Sequence, residues 1–138
     1  MVLNPGCACP LDYFSFADLV VVAEVSHDQF SHPSWDHPSY SYLRDVSRAH
    51  GDRVMLPQSS RITPGHKMGV IVHGLGTNET DESRVKRMKL LVYDLVRTKR
   101  IGGVFLTNLE MGKGNVYGGW SCFWREFTAA IAELSLPN

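Results

Sequence analysis

The stretch Leu19-Val20-Val21-Val22-Ala23-Glu24 constrains this chain more than any other. Leu19 to Ala23 is an unbroken apolar run, rich in β-branched Val and too short for a helix. Such a run reads as a strand covered on both faces, the usual condition in a parallel sheet. It ends on a carboxylate. A charged group at the end of a buried strand is either solvated in a cleft or partnered. In α/β folds, the cleft beyond the carboxyl ends of the strands is where ligands bind.

Three other segments repeat this grammar. Met1 to Leu3 runs apolar into Asn4, Met68 to Val72 into His73, and Val104 to Leu106 into Thr107 and Asn108. Four strands are therefore expected, near 1–4, 18–24, 67–73 and 103–107, with polar residues gathered at one rim. Between the third and fourth, Val85, Met88, Leu91 or Val92, and Leu95 recur at helical spacing. The spacing predicts a helix from about Thr80 to Lys99, acidic at its start and basic at its end. A closing helix is expected over Ser121 to Leu134, with Phe123 or Trp124, Phe127, Ala130, Ile131 and Leu134 as its buried stripe. Pro10 to Phe16 reads as a short aromatic connection and Ser26 to Ser41 as loop. Tyr40 to His50 has helical character, Val54 to Leu56 an extended one, and Leu109 to Gly119 is a glycine-rich loop. Strand and helix in alternation give an α/β fold of parallel β/α units, one domain over residues 1–138.

Bulk properties exclude several classes of function. At 138 residues there is length for one core. Acids and bases balance at 14 each, so no electrostatic case exists for nucleic acid or an anionic membrane surface. No apolar run approaches the roughly 20 residues of a membrane-spanning helix, and no signal peptide is visible. Cys7 and Cys9 are too close for an easy mutual disulfide. With Cys122 they fit neither a zinc module nor a disulfide scaffold. No cofactor and no metal is expected.

Glu24 is the strongest chemical candidate, since a strand-end carboxyl can serve as acid, base or nucleophile according to its surroundings. The alternative is an ion pair with a loop Arg or Lys. Asp18 opens the same strand and belongs at the opposite rim. His27, His32 and His37 recur every five residues, a spacing of neither a helical ligand pair nor a finger, so a polar loop is the better reading. The same loop carries Phe30, Trp35, Tyr40 and Tyr42, able to stack on sugar rings or to form a satellite core. Gly74-Leu75-Gly76 completes no phosphate-loop fingerprint. Asn78-Glu79-Thr80 is a glycosylation acceptor if the protein enters a secretory route.

Asn4-Pro5-Gly6, then Tyr13 to Val22, then Glu24, together resemble the spherulin 4-like (spherulation-specific family 4) proteins of fungi. Val70 to His73 and Gly103 to Thr107 are similar to their later strands, and Trp120 to Ile131 to their closing helix. The resemblance implies a TIM-type (β/α)₈ barrel related to glycoside hydrolases acting on galactosamine-containing polysaccharide. It implies that this chain is the second half of that barrel, from about the fifth strand to the eighth, in keeping with the roughly 250 residues of a full one. It assigns Glu24 to catalysis. Asn4, His73 and Thr107 at the neighbouring strand ends, and Trp35 in the aromatic loop, are the expected substrate-binding residues. The family's Asp-Glu pair would precede Met1, so the isolated chain is expected to be inactive. The implied partner is polysaccharide, the implied compartment secreted or cell surface. Open barrel edges imply self-association. A non-catalytic carbohydrate-binding or cell-surface protein is the rival reading, and a complete small α/β domain is a third.

Overall fold

The computed structural model of the protein describes residues 1–6, 13–32, 64–76, 80–112 and 117–135. Four strands, β1 (Val2–Leu3), β2 (Leu19–Ser26), β3 (Met68–His73) and β4 (Gly103–Leu106), form one sheet in the order β1-β2-β3-β4. Every neighbouring pair is parallel. The helices are α1 (Tyr13–Phe16), α2 (His27–Ser31), α3 (Asp81–Tyr93) and α4 (Trp124–Ser135). The α/β character read from the four apolar runs is thus the observed one. Trp35, the helical stretch Tyr40 to His50, the extended piece Val54 to Leu56, and Cys7, Cys9, His37 and Asn78 lie outside the described residues.

One face of the sheet carries the core. Val20, Val22, Val70, Val72 and Leu106 pack against Phe14 of α1, Met88 and Val92 of α3, and Phe123 and Phe127 around α4. Each large apolar side chain buried in this way contributes about 1.5–3 kcal/mol. Helix α3 starts where Thr80 accepts a hydrogen bond from the Ser83 N–H through its side chain. Its buried Met88 and Val92 lie four residues apart, on one face.

Two local expectations are corrected. The helix expected to run unbroken to Lys99 stops as α-helix at Tyr93 and widens into a π turn, Asp94–Thr98. There the Lys99 N–H donates to the Asp94 carbonyl at 2.9 Å, and Lys99 pairs with the Asp94 carboxylate. The wider turn keeps Leu95 buried while the chain swings toward β4. The loop expected from Ser26 opens instead as α2. Ser26 accepts from the Gln29 N–H and the Gln29 side chain returns a bond to the Ser26 N–H, a reciprocal cap that the loop-like composition concealed.

Gly102 and Gly103 bring β4 close to its neighbours. A Cβ at Gly102 would stand 1.8 Å from the His66 carbonyl oxygen, and one at Gly103 would stand 2.8 Å from a Leu19 methyl. Leu19 lies over both Gly103 and its register partner Gly69, closing the amino-terminal end of the sheet's second face.

Candidate active site

The register of β2 against β3 shifts between Val21 and Ala23. Val21 lies beside Gly69, Ala23 beside Val70 and Glu24 beside Ile71. One extra residue, Val22, is taken up as a β-bulge. In an uninterrupted strand, alternation would put Glu24 on the face of Val20 and Val22, both fully buried against the helices. The bulge turns it to the other face, beside Ile71 and, one strand further, Phe105. An unpaired carboxylate in the helix-packed core would be strongly destabilising. The strand also runs on to Ser26, so Glu24 stands two residues inside its end rather than at the terminus.

The turn after β1 holds this arrangement. The Gly6 N–H donates to the Val21 carbonyl at 3.2 Å, and the Glu24 N–H donates to the Gly6 carbonyl at 3.2 Å, so one residue brackets the bulge. Gly6 does so at φ 67°, in the left-handed region. Asn4 Nδ2 donates to Glu24 Oε2 at 3.1 Å, and the Tyr117 hydroxyl donates to Oε1. Both carboxylate oxygens therefore carry a donor. Desolvation, then the hydrogen bond and charge of Glu24, push the Tyr117 phenol up to about 12, so it stays protonated and donating. This holds although 53% of the residue is exposed.

His73 ends β3 in register with Ser26. Its Nδ1 is buried and has no hydrogen-bond partner among the described residues. Burial lowers its pKa below the usual imidazole value, against the opposing pull of the negative charges of Glu24 and Glu110. Burial thus favours the neutral ring, whose unpaired Nδ1 is shielded from solvent. Thr107 lies differently. It is fully buried, its Oγ1 accepts from the Leu109 N–H at 3.1 Å, and its carbonyl accepts from the Leu75 N–H at 3.0 Å. With no exposed atom, it holds the loop after β4. The Gly74 N–H is likewise taken, by the Leu109 carbonyl at 2.8 Å. The amides of Gly74 and Leu75 thus join two loops instead of facing a phosphate.

The loops beyond β3 and β4 are tied together by Arg84 and Asn108. Arg84 Nε donates to the Gly76 carbonyl at 2.8 Å, and its Nη1 reaches Asp81 at 2.6 Å and Cys122 Sγ at 3.3 Å. Asn108 Oδ1 accepts from the Cys122 N–H at 2.9 Å and from Ser121 Oγ at 3.2 Å. Among the described residues no group of three or more His, Cys, Asp or Glu could hold a metal ion, and no helix is long and apolar enough to cross a membrane.

The family model described as spherulation-specific family 4 matches residues 1–131. The chain belongs to this family. The crystal structure of Aspergillus clavatus Sph3 in complex with GalNAc matches with a TM-score of 0.59 and 21% identity, over 95% of this chain and 41% of that one. At that identity the likeness is one of fold. This chain spans less than half the length of the solved relative it matches. A search of curated proteins gives no match.

Within this family member, Glu24 and His73 share the face of the sheet away from the helices, toward its carboxyl end, and Glu24 bonds to Asn4 directly. Asp18 lies at the other end of β2, largely exposed, its backbone N–H donating to the Met1 carbonyl at 2.8 Å. His27 is in α2, with Nε2 3.0 Å from Ser31 Oγ. Sequence reasoning missed Tyr117 and Glu110. Tyr117 sits in what reads as a glycine-rich loop, and its contact with Glu24 spans 93 residues. Glu110 follows β4 closely, with its Cγ 3.5 Å from the Cβ position of Gly74. A carboxylate three residues after Thr107 was the one signal available for it.

Proposed function

We propose that this chain is the second half of a (β/α)₈ barrel that hydrolyses galactosamine-containing polysaccharide, with Glu24 as a catalytic carboxylate. One observation carries the reading. Glu24 is turned by a bulge onto the face away from the helices, two residues inside the carboxyl end of β2, with each oxygen held by a neutral donor. A carboxylate so fixed faces the positive charge that grows on the sugar ring in an oxocarbenium-like transition state. Asn4 and Tyr117 orient it, and His73 meets a sugar hydroxyl or acetamido group. Trp35 is kept as a proposed sugar contact, and Thr107 contributes by positioning the Leu109 loop. In this reading the protonating partner is an Asp-Glu pair supplied by the first half of the barrel. The GalNAc complex of the Aspergillus clavatus relative supports this substrate class.

The test is hydrolysis of a galactosamine polymer by the protein extended upstream through a strand ending in Asp-Glu. Glu24→Gln keeps shape and removes charge. It should lower turnover by about 10²–10⁴-fold with little change in folding. Full turnover by that variant would refute the assignment. Binding without turnover by the extended wild type would favour a carbohydrate-binding protein, a role the exposed Tyr117 and Trp120 rings also suit.

A further inference from the structure

We infer that Trp120 is a stacking shelf for a further sugar residue of a galactosamine-containing chain, along a line of rings from the one seated at Glu24. This rests on the reading of Glu24 just given. Tyr117 touches Glu24 through its hydroxyl, and its ring lies 6.0 Å from that of Phe105. Phe105 lies 6.5 Å from Trp124, and Trp124 lies 4.6 Å from Trp120 at 51°. A continuous line of rings therefore leads away from the carboxylate. Glu24 is on β2 and Phe105 on β4, two strand spacings apart, about 10 Å. A polymer lying along that line presents successive sugars first to Glu24 and then to the rings.

Trp120 is 75% exposed although one side of it packs on Trp124. Trp124 is anchored in turn on the buried Phe127, 5.6 Å away. Asn108 fixes the next two residues, Ser121 and Cys122, to the loop after β4. The backbone that follows the indole is thus held in place while most of the ring remains in water. A rigid aromatic face costs little entropy when a ligand docks. The C–H face of a pyranose fits such a ring, leaving its hydroxyls at the edge for solvent. A neutral, amphipathic sugar is therefore the occupant that this patch suits, next to a site that already offers Glu24, Asn4 and His73 as polar partners.

The experiment is calorimetric titration of the full chain with GalNAc and with a galactosamine oligomer. The wild type, Trp120→Ala, Trp120→Phe and Glu24→Ala are compared. The wild type should bind the oligomer more tightly than the monosaccharide. Trp120→Ala should lose about tenfold in oligomer affinity, leave GalNAc affinity and thermal stability unchanged, and be rescued by Trp120→Phe. Glu24→Ala should weaken both ligands. An unaltered oligomer advantage in Trp120→Ala, or equal wild-type affinity for both ligands, would overturn the shelf and leave Glu24 untouched. GalNAc binding that ignores Glu24→Ala would overturn the Glu24 reading, and no binding of either sugar would overturn both.

Discussion

Gly6→Ala tests how the bulge and the carboxylate are held. Gly6 sits at φ 67°, where an L-residue is strained by roughly 1–2 kcal/mol. Space is not the difficulty. The new Cβ would stand 3.6 Å from Glu24 Cβ and 3.7 Å from Glu24 Oε2, ordinary contact distances. Stiffening the unfolded chain returns about 0.4–1 kcal/mol of the strain. The net loss should be about 1 kcal/mol, or roughly 3–5 °C in Tm for a chain of this size. Relaxing the strain means rotating the peptide that accepts from the Glu24 N–H, so GalNAc affinity should fall as well. Gly6→Asn, a residue that tolerates this conformation, should lose less on both counts. Thermal denaturation followed by circular dichroism, beside calorimetric titration, reads both. A Gly6→Ala protein as stable as wild type, or a Gly6→Asn protein no better than Gly6→Ala, would refute the account of the turn.

Tyr117 titrates near 12 in the folded protein and near 10 when unfolded, so its contribution to stability is complete below pH 10 and is lost as pH rises through 12. Melting temperatures across that range should fall more steeply for wild type than for Tyr117→Phe. His73 has the opposite linkage. With its folded pKa below the ordinary 6.5, its share of stability is present above that value and lost as pH falls below it. Glu24→Gln removes a negative charge that supports the imidazolium, so the His73 resonance should titrate still lower in nuclear magnetic resonance. An unmoved resonance would separate the two groups. β1 and β4 are the outer strands, and beside β4 a cavity of about 420 Å³ opens among Val96, Ile101, Val104, Phe127 and Ile131. The chain should therefore associate through that edge, and Val104→Lys should reduce the association in sedimentation. A wild type that stays monomeric at high concentration would rule this out.

What could be read from the sequence was whatever depends on near neighbours. Apolar runs placed β2, β3 and β4 within a residue or two, because burying a run needs no knowledge of the partner strand. The helical spacing of Val85, Met88 and Leu95 and the acids after Thr80 placed α3 for the same reason. Asn4-Pro5-Gly6 and Glu24 were legible as a group through the family resemblance. The face on which Glu24 lies was not. Leu19 to Ala23 is apolar throughout, so alternation leaves no mark in it, and the parity of Glu24 is set by where β2 slips against β3. Only pairing between strands decides that slip. Likewise, only the folded chain brings Tyr117 across 93 residues to the carboxylate and spends the Thr107 hydroxyl on Leu109. It also leaves His73 Nδ1 buried with no partner among the described residues, because a side chain's hydrogen-bond partners are fixed by tertiary approach and not by its place in the sequence.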